Sequence, residues 1–307
     1  MASIESEKVD IRCGLKIPMR DGVRLDATAY LPRILPAPAP CVVTVTPYTS
    51  DGWHIFGVYF AARGMPFVIV DARGRGDSEG EFPVGAEAGL DGYDVVEWLA
   101  TQPFCNGKVG MYGASDLGLV QWSTAKELPQ HLATIVPTAA PCLGVDFPMR
   151  NNVSYPFLMQ WLTLTGGRTR QGRLGGDETF WLQSLRRWHH SGRPFRDLDS
   201  MVGHPSPVFQ EWVSHPEPDA YWDAYNPTPE QYARLDIPVL TITGCYDDDQ
   251  PGALEHYRRH CDSTAPGAPA KHHFLIIGPW NHGATQWPTA QFGGLEFGPD
   301  SVMDIRK

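Results

Sequence analysis

Three residues capable of acyl-transfer chemistry stand where strand-like runs of this 307-residue sequence end. Ser115 follows the run Val109–Tyr112 and Gly113, Asp247 follows Pro238–Thr243 and Gly244, and His282 follows Phe274–Ile277 and Gly278. A serine hydroxyl becomes a nucleophile only beside a base, and a histidine base keeps its tautomer only when an acid holds its second nitrogen. The three residue types therefore make one possible set of nucleophile, base and orienting acid. The local signal is sharpest at Gly113-Ala-Ser115, which lies between an apolar run and the helical pattern Leu119–Glu127. A strand, a sharp turn and a helix lift a serine hydroxyl on strained backbone, and the helix aims its positive end at it. Taken alone the motif is weak, because a serine ahead of a helix is commonly just its cap.

The elements that must position these residues are legible as hydrophobic pattern. Ile11–Pro18 and Val23–Leu31 read as strands joined at Arg20-Asp21-Gly22, a hairpin signal. After the proline-rich stretch 32–40 come short apolar runs at Cys41–Thr46, Phe67–Val70, Val109–Tyr112, Ala133–Val136, Pro238–Thr243 and Phe274–Ile277. They do not alternate polar and apolar residues, which is the mark of strands buried on both faces of a parallel sheet. Helical spacing at Leu90–Thr101 and Leu119–Glu127 falls between them, so the pattern predicts an α/β fold with a mostly parallel sheet. Right-handed crossovers then bring the loops after the strands to one edge, where such folds do chemistry. The chain order serine, aspartate, histidine, each just after a strand, is that of the α/β-hydrolase fold. Residues 141–232 break the alternation and are rich in Trp, Arg, His and Pro, with helical pieces expected at Tyr155–Leu164 and Thr179–His189. They read as a helical cap inserted between a first core part, 1–140, and a second, 233–307.

Composition narrows the function classes. With 42% hydrophobic and 20% charged residues the chain is ordinary globular protein. A formal charge of −10 argues against binding nucleic acid or an anionic membrane surface. No apolar run reaches the roughly 18 residues of a membrane span, and residues 1–10 lack the apolar stretch of a signal peptide. Six cysteines without metal or redox spacing read as buried free thiols of a reducing compartment, so a cytoplasmic location is expected.

The sequence resembles the cocaine-esterase-like and X-Pro dipeptidyl-peptidase (S15-type) group of serine hydrolases, which also includes α-amino acid ester hydrolases and acylases. The resemblance is carried by Met19–Leu25, Thr46-Pro-Tyr48, Asp71–Gly80, Asp91–Asp94 with Glu97-Trp98, and Asn106–Gly110. Gly113-Ala-Ser115, Tyr246-Asp247 and Gly278–Gly283 complete it, in the family's order over most of residues 15–283. It implies that Ser115 is the nucleophile, His282 the base and then the acid, and Asp247 its orienting partner. It also implies an oxyanion hole made by the Tyr48 hydroxyl and the backbone N–H of Asp116, with no cofactor or metal. From the residues alone, Tyr48 reads as readily as a core tyrosine.

Two departures stand out. The family places tyrosine directly after the nucleophile, and here Asp116 stands there. An ionised carboxylate would oppose a forming oxyanion, so Asp116 is either a substrate or pairing group, an ordinary turn residue, or a sign of altered catalysis. Relatives continue past the histidine with a further helix and a jelly-roll domain, and Asp300–Lys307 reads as the beginning of that helix. A second copy or a further C-terminal segment is then expected to cover an apolar sheet face.

The remaining candidates have plainer readings. Asp247-Asp248-Asp249 reads as the triad acid plus a helix start, with Asp249 as cap and Pro251 in the first turn, rather than as a metal cluster. His272 and His273 read as structural or solvent-facing, and Arg73 and Asp77 as a structural pair. The Gly-x-Gly of Asp71–Asp77 does not have phosphate-loop spacing. Tyr155, Trp161 and Trp181 are candidates to line a substrate pocket, or else are core of the cap. Asp177 or Glu178 could anchor a substrate amine.

The favoured function is hydrolysis of a carboxylic ester, or related acyl bond, in a small-molecule ester or aminoacyl substrate. The alternatives are dipeptidyl-peptidase or acylase chemistry, and a catalytically silent scaffold or binding module that keeps the fold.

Overall fold

The computed structural model describes residues 7–82, 87–264 and 271–303. Eight strands form one sheet: β1 (Val9–Pro18), β2 (Arg24–Pro32), β3 (Ala39–Thr46), β4 (Phe67–Asp71), β5 (Cys105–Ala114), β6 (Leu132–Thr138), β7 (Val239–Tyr246) and β8 (His273–Asn281). Their spatial order is β1-β2-β4-β3-β5-β6-β7-β8. β1 pairs antiparallel with β2, and β2 with β4, while every later neighbour is parallel. This is the expected α/β-hydrolase sheet. The Asp21-Gly22 hairpin sets the register of β1 and β2, with Pro18 opposite Arg24.

The central parallel strands are buried because helices cover both faces, whereas β8, expected to be buried, leaves Phe274 and Ile277 exposed. Helix α1 (His54–Ala61) lays Phe56, Tyr59 and Phe60 over Phe67, Ile69 and Tyr112. On the other face, α2 (Glu87–Ala100) and α3 (Asp116–Ala125) bring Val95, Val96, Leu99, Val120 and Trp122 onto Val43, Val68, Val109 and Ile135. On the α1 side the sheet is open at β6–β8: Phe274 is 61% exposed, and Val136 and Leu240 are half-buried. Of the segment expected to begin a helix, Pro299–Ser301 form a 3₁₀ turn and residues 304–307 lie outside the described residues.

Between β6 and β7 the chain leaves the sheet. It forms α4 (Phe157–Leu164), α5 (Glu178–Ser191), α6 (Pro207–Val213) and α7 (Pro229–Arg234), joined by shorter helical turns. Two-residue strands Met149–Arg150 and Val153–Ser154 add a hairpin not expected from sequence. This region has its own apolar core, in which Leu158, Met159, Trp161, Trp181, Leu198, Phe209, Trp212 and Trp222 are buried. It is tied to α3 by polar contacts: Ser123 Oγ donates to the Tyr225 carbonyl, and Lys126 Nζ to that of Ala224. The last helix, α8 (Gln250–Asp262), packs on β7 and β8 through Ala253, His256 and His260.

The six cysteines are unpaired; Cys41, Cys105 and Cys142 are buried, but Cys13 and Cys245 are exposed, contrary to the expectation of burial throughout. Among the described residues no helix is long and apolar enough to cross a membrane.

Candidate active site

The strand-to-helix turn at Ser115 is strained. Ser115 has φ 62° and ψ −127°, a left-handed region that costs about 1–3 kcal/mol and persists only where the surroundings enforce it. Its N–H is held by the Thr138 carbonyl at 2.9 Å. Glycine is required on either side. A Cβ on Gly113 would meet Leu117 Cβ at 2.6 Å, and one on Gly118 would meet Ala140 Cβ at 2.7 Å. These approaches let α3 start directly beneath the turn, so its positive end lies at the serine. The N–H of Asp116, first residue of α3, has no intrahelical acceptor and is free for an anion.

The candidate acid and base come from the ends of β7 and β8. His282 Nδ1 and Asp247 Oδ1 are 2.8 Å apart. The Asp247 carboxylate is fully buried, and its other oxygen accepts from Thr243 Oγ1 at 3.0 Å. Burial works against the imidazolium, but Asp247, Asp249 and Asp248 together raise His282 to about 9. Asp249 stands where the sequence put it, but its carboxylate does not cap. It occupies the N-cap position of α8 without a capping hydrogen bond, and its Oδ2 lies 3.7 Å from His282 Nδ1. Burial, with the neighbouring acids Asp247 and Asp248, raises its pKa. Asp247, Asp249 and His282 offer ligand atoms within 4.8 Å of one another. Both Asp247 oxygens already carry hydrogen bonds, to His282 and Thr243.

Ser115, His282, Tyr48 and Asp116 line one cavity of about 650 Å³ between the sheet edge and residues 141–232. Tyr48 sits on the loop after β3, and its hydroxyl accepts from Trp161 Nε1 at 2.9 Å. Burial, reinforced by Asp116, pushes the Tyr48 phenol well up, so it stays a proton donor. Asp116 is only 9% exposed, and no hydrogen bond or ion pair reaches its carboxyl among the described residues. Burial alone raises it to about 7.

The aromatic candidates separate. Trp161 lines the cavity and spends its N–H on Tyr48. Tyr155 lines it too, with its hydroxyl donated to Asp248 at 2.8 Å, a bridge from the cap to the strand ends. Trp181 does not reach the cavity. It is buried in the cap core against Phe180, with Nε1 donated to the Leu174 carbonyl, because the apolar face of α5 turns inward. Asp177 is spent capping α5 through the Phe180 N–H, and Glu178 is exposed, so neither anchors a ligand in the cavity. The Arg73–Asp77 pair is also corrected. Arg73 binds Asp91 and Asp21, at 2.6 and 2.7 Å. His272 is exposed, while His273 is buried against Thr241 and His260.

Residues 21–284 match the family described as X-Pro dipeptidyl-peptidase (S15 family). The cocaine esterase of Rhodococcus sp. (strain MB1 Bresler) is 28% identical over 292 residues, covering 89% of this chain and 49% of that protein. Among solved structures, an α-amino acid ester hydrolase superposes with a TM-score of 0.80 at 22% identity, covering 97% of this chain and 52% of the other. An aminopeptidase from a marine sediment Thaumarchaeota archaeon superposes with a TM-score of 0.72 at 20% identity, over 97% of this chain and 52% of its own. The chain thus spans about half the length of these relatives. With the family pattern running from the β1–β2 turn to just beyond the candidate base, the chain belongs to the X-Pro dipeptidyl-peptidase (S15) family.

Proposed function

We propose that this protein is a serine hydrolase that cleaves carboxylic esters through an acyl-enzyme. The observation that carries the reading is the buried Asp247 carboxylate 2.8 Å from Nδ1 of His282, which lines the same cavity as the strained Ser115. In the scheme, Ser115 Oγ attacks the ester carbonyl carbon as its proton passes to His282 Nε2. The carbonyl oxygen becomes an oxyanion held by the Tyr48 hydroxyl and the Asp116 N–H. The intermediate collapses, the C–O bond to the alcohol breaks, and the alcohol leaves with the proton from His282. Water then gives a proton to His282, attacks the acyl carbon, and the acid is released as Ser115 regains its proton. The scheme uses side chains and backbone only.

Asp116 and Trp161, with Tyr155 at the cavity wall, form the proposed substrate-binding set, with residues 141–232 as the cap over the core parts 1–140 and 233–307. The buried, unpartnered Asp116 carboxyl favours a second reading, in which an aminoacyl substrate offers it an ammonium group. A substrate cation there would also cancel a charge that opposes the oxyanion. The formal charge of −10 suits neutral or cationic small molecules rather than nucleic acid or anionic membrane. The exposed free thiols Cys13 and Cys245 favour a reducing, cytoplasmic setting. The open apolar row at β6–β8 is the place for a second copy or a further segment.

Parallel assays with esters and amides of the same acyl group test the reading. At least tenfold faster turnover of the ester supports it; preferential cleavage of an aminoacyl amide, lost in Asp116→Asn, replaces it with the second.

A further inference from the structure

The loop after β4 holds a charged residue that this mechanism does not use. Arg75 is fully buried, yet no carboxylate forms an ion pair with it among the described residues. Burial works against its charge, and the Asp71 carboxyl supports it only from a distance. The guanidinium is instead solvated by carbonyls from two other loops. Its Nε donates to the Pro47 carbonyl at 2.6 Å, and its Nη1 donates to the Thr165 carbonyl at 2.5 Å and to that of Gly167. The loop after β4 and the loop 165–168 are joined again beside it. The Gly76 N–H donates to the Arg168 carbonyl at 2.6 Å, and Arg168 Nη2 to the Ser78 carbonyl at 2.7 Å.

The Pro47 carbonyl belongs to the peptide that enters Tyr48. The other side of that peptide, the Tyr48 N–H, donates to Thr46 Oγ1 at 3.1 Å. The plane is therefore held at both its polar ends, while Trp161 Nε1 holds the hydroxyl at the far end of the side chain. Both Trp161 and residues 165–168 belong to the cap. A donor aimed at an oxyanion must sit within a few tenths of an ångström of its position to count, so what fixes Tyr48 fixes its usefulness. A guanidinium suits this task because its rigid fork spans two acceptors that a lysine ammonium cannot reach together.

We propose that Arg75 is a positioning residue that locks the peptide before Tyr48 to the cap loop 165–168, so that the oxyanion donor is set only when that loop is seated. The proposal rests on Tyr48 being an oxyanion donor, and the test separates the two. Arg75→Met, Arg75→Lys, Tyr48→Phe and the double variant Arg75→Met/Tyr48→Phe are assayed for kcat and KM on a p-nitrophenyl ester, with thermal melting as the check on folding. Arg75→Met is expected to lower kcat about 10- to 100-fold with KM nearly unchanged, and Arg75→Lys to lower it less. In the Tyr48→Phe background the same Arg75 change is expected to cost less than about twofold more, because its effect passes through the tyrosine. Equal losses in both backgrounds, or a folded Arg75→Met protein with kcat within about twofold of wild type, overturn the positioning role. If Arg75→Met does not fold, Arg75→Lys goes through the same cycle and is read the same way. If Tyr48→Phe alone leaves kcat unchanged, or the wild type is inert, the oxyanion reading itself fails and this proposal with it.

Discussion

The sheet edge and the cap both face the cavity, but they build it by different physics. At the sheet edge, Ser115, Asp247 and His282 are placed by backbone: each follows a parallel strand whose register is fixed by ladder pairing. In the cap, Tyr155 and Trp161 are placed by side-chain packing, in a core where Trp161 stacks on Trp212 and Trp212 meets Trp222 edge-on. Chemistry set by ladder hydrogen bonds tolerates little variation in where a residue sits. A pocket set by interlocking aromatics can be reshaped by one substitution. On this account the edge carries the rate and the cap carries the selectivity, and the two meet at Tyr48, which an edge loop supplies and a cap tryptophan holds.

The sharpest way to break this division is to leave the edge geometry intact and remove one charge. Asp247→Asn keeps the shape of the acid but lets His282 take the wrong tautomer, and ester turnover of the folded protein should fall about 10⁴-fold. Retained activity would mean that the edge does not carry the rate. In the cap, Trp181→Ala should do the reverse. Deleting a buried indole costs about 3–5 kcal/mol of stability, read by denaturant unfolding, whereas kcat of the folded protein should stay within about threefold. A large loss of kcat at preserved stability would put Trp181 back among the substrate contacts.

A smaller effect separates Asp249 from Asp247. His282 accepts the serine proton only when neutral, and its acid neighbours raise its pKa to about 9, against an ordinary 6.5. The rate of the acylation step should therefore rise with pH well above the usual imidazole range. Asp249→Asn removes one of the charges favouring the imidazolium, so the rising limb should move to lower pH. An unmoved limb would show that Asp249 does not act on the base.

What could be read beforehand follows the same line. Parallel strands announce themselves as short apolar runs, and the residue after each run lands on one edge. That is why Ser115, Asp247 and His282, and the sheet that carries them, were legible from spacing. Tyr48 was not legible in that way, since a tyrosine after a strand looks like core; only the resemblance suggested its role. Trp161 and Trp181 are alike in sequence, both on amphipathic helices, and only packing shows that one faces the cavity and the other the cap core. Asp249 illustrates a different limit. Asp before a proline-started helix reads as a cap, but the nearby imidazolium competes for the same carboxylate, and the side chain turns to His282 instead. Arg73 and Arg75 stand two residues apart in one loop, and nothing in their spacing tells that one pairs with acids and the other with carbonyls.

The central claim is that Ser115 is an activated nucleophile in this chain. Treatment with a fluorophosphonate probe, followed by intact-mass measurement, tests it without choosing a substrate. The account predicts one adduct on the wild-type protein and none on Ser115→Ala. A folded wild-type protein that takes up no probe, or an adduct that persists in Ser115→Ala, would contradict it.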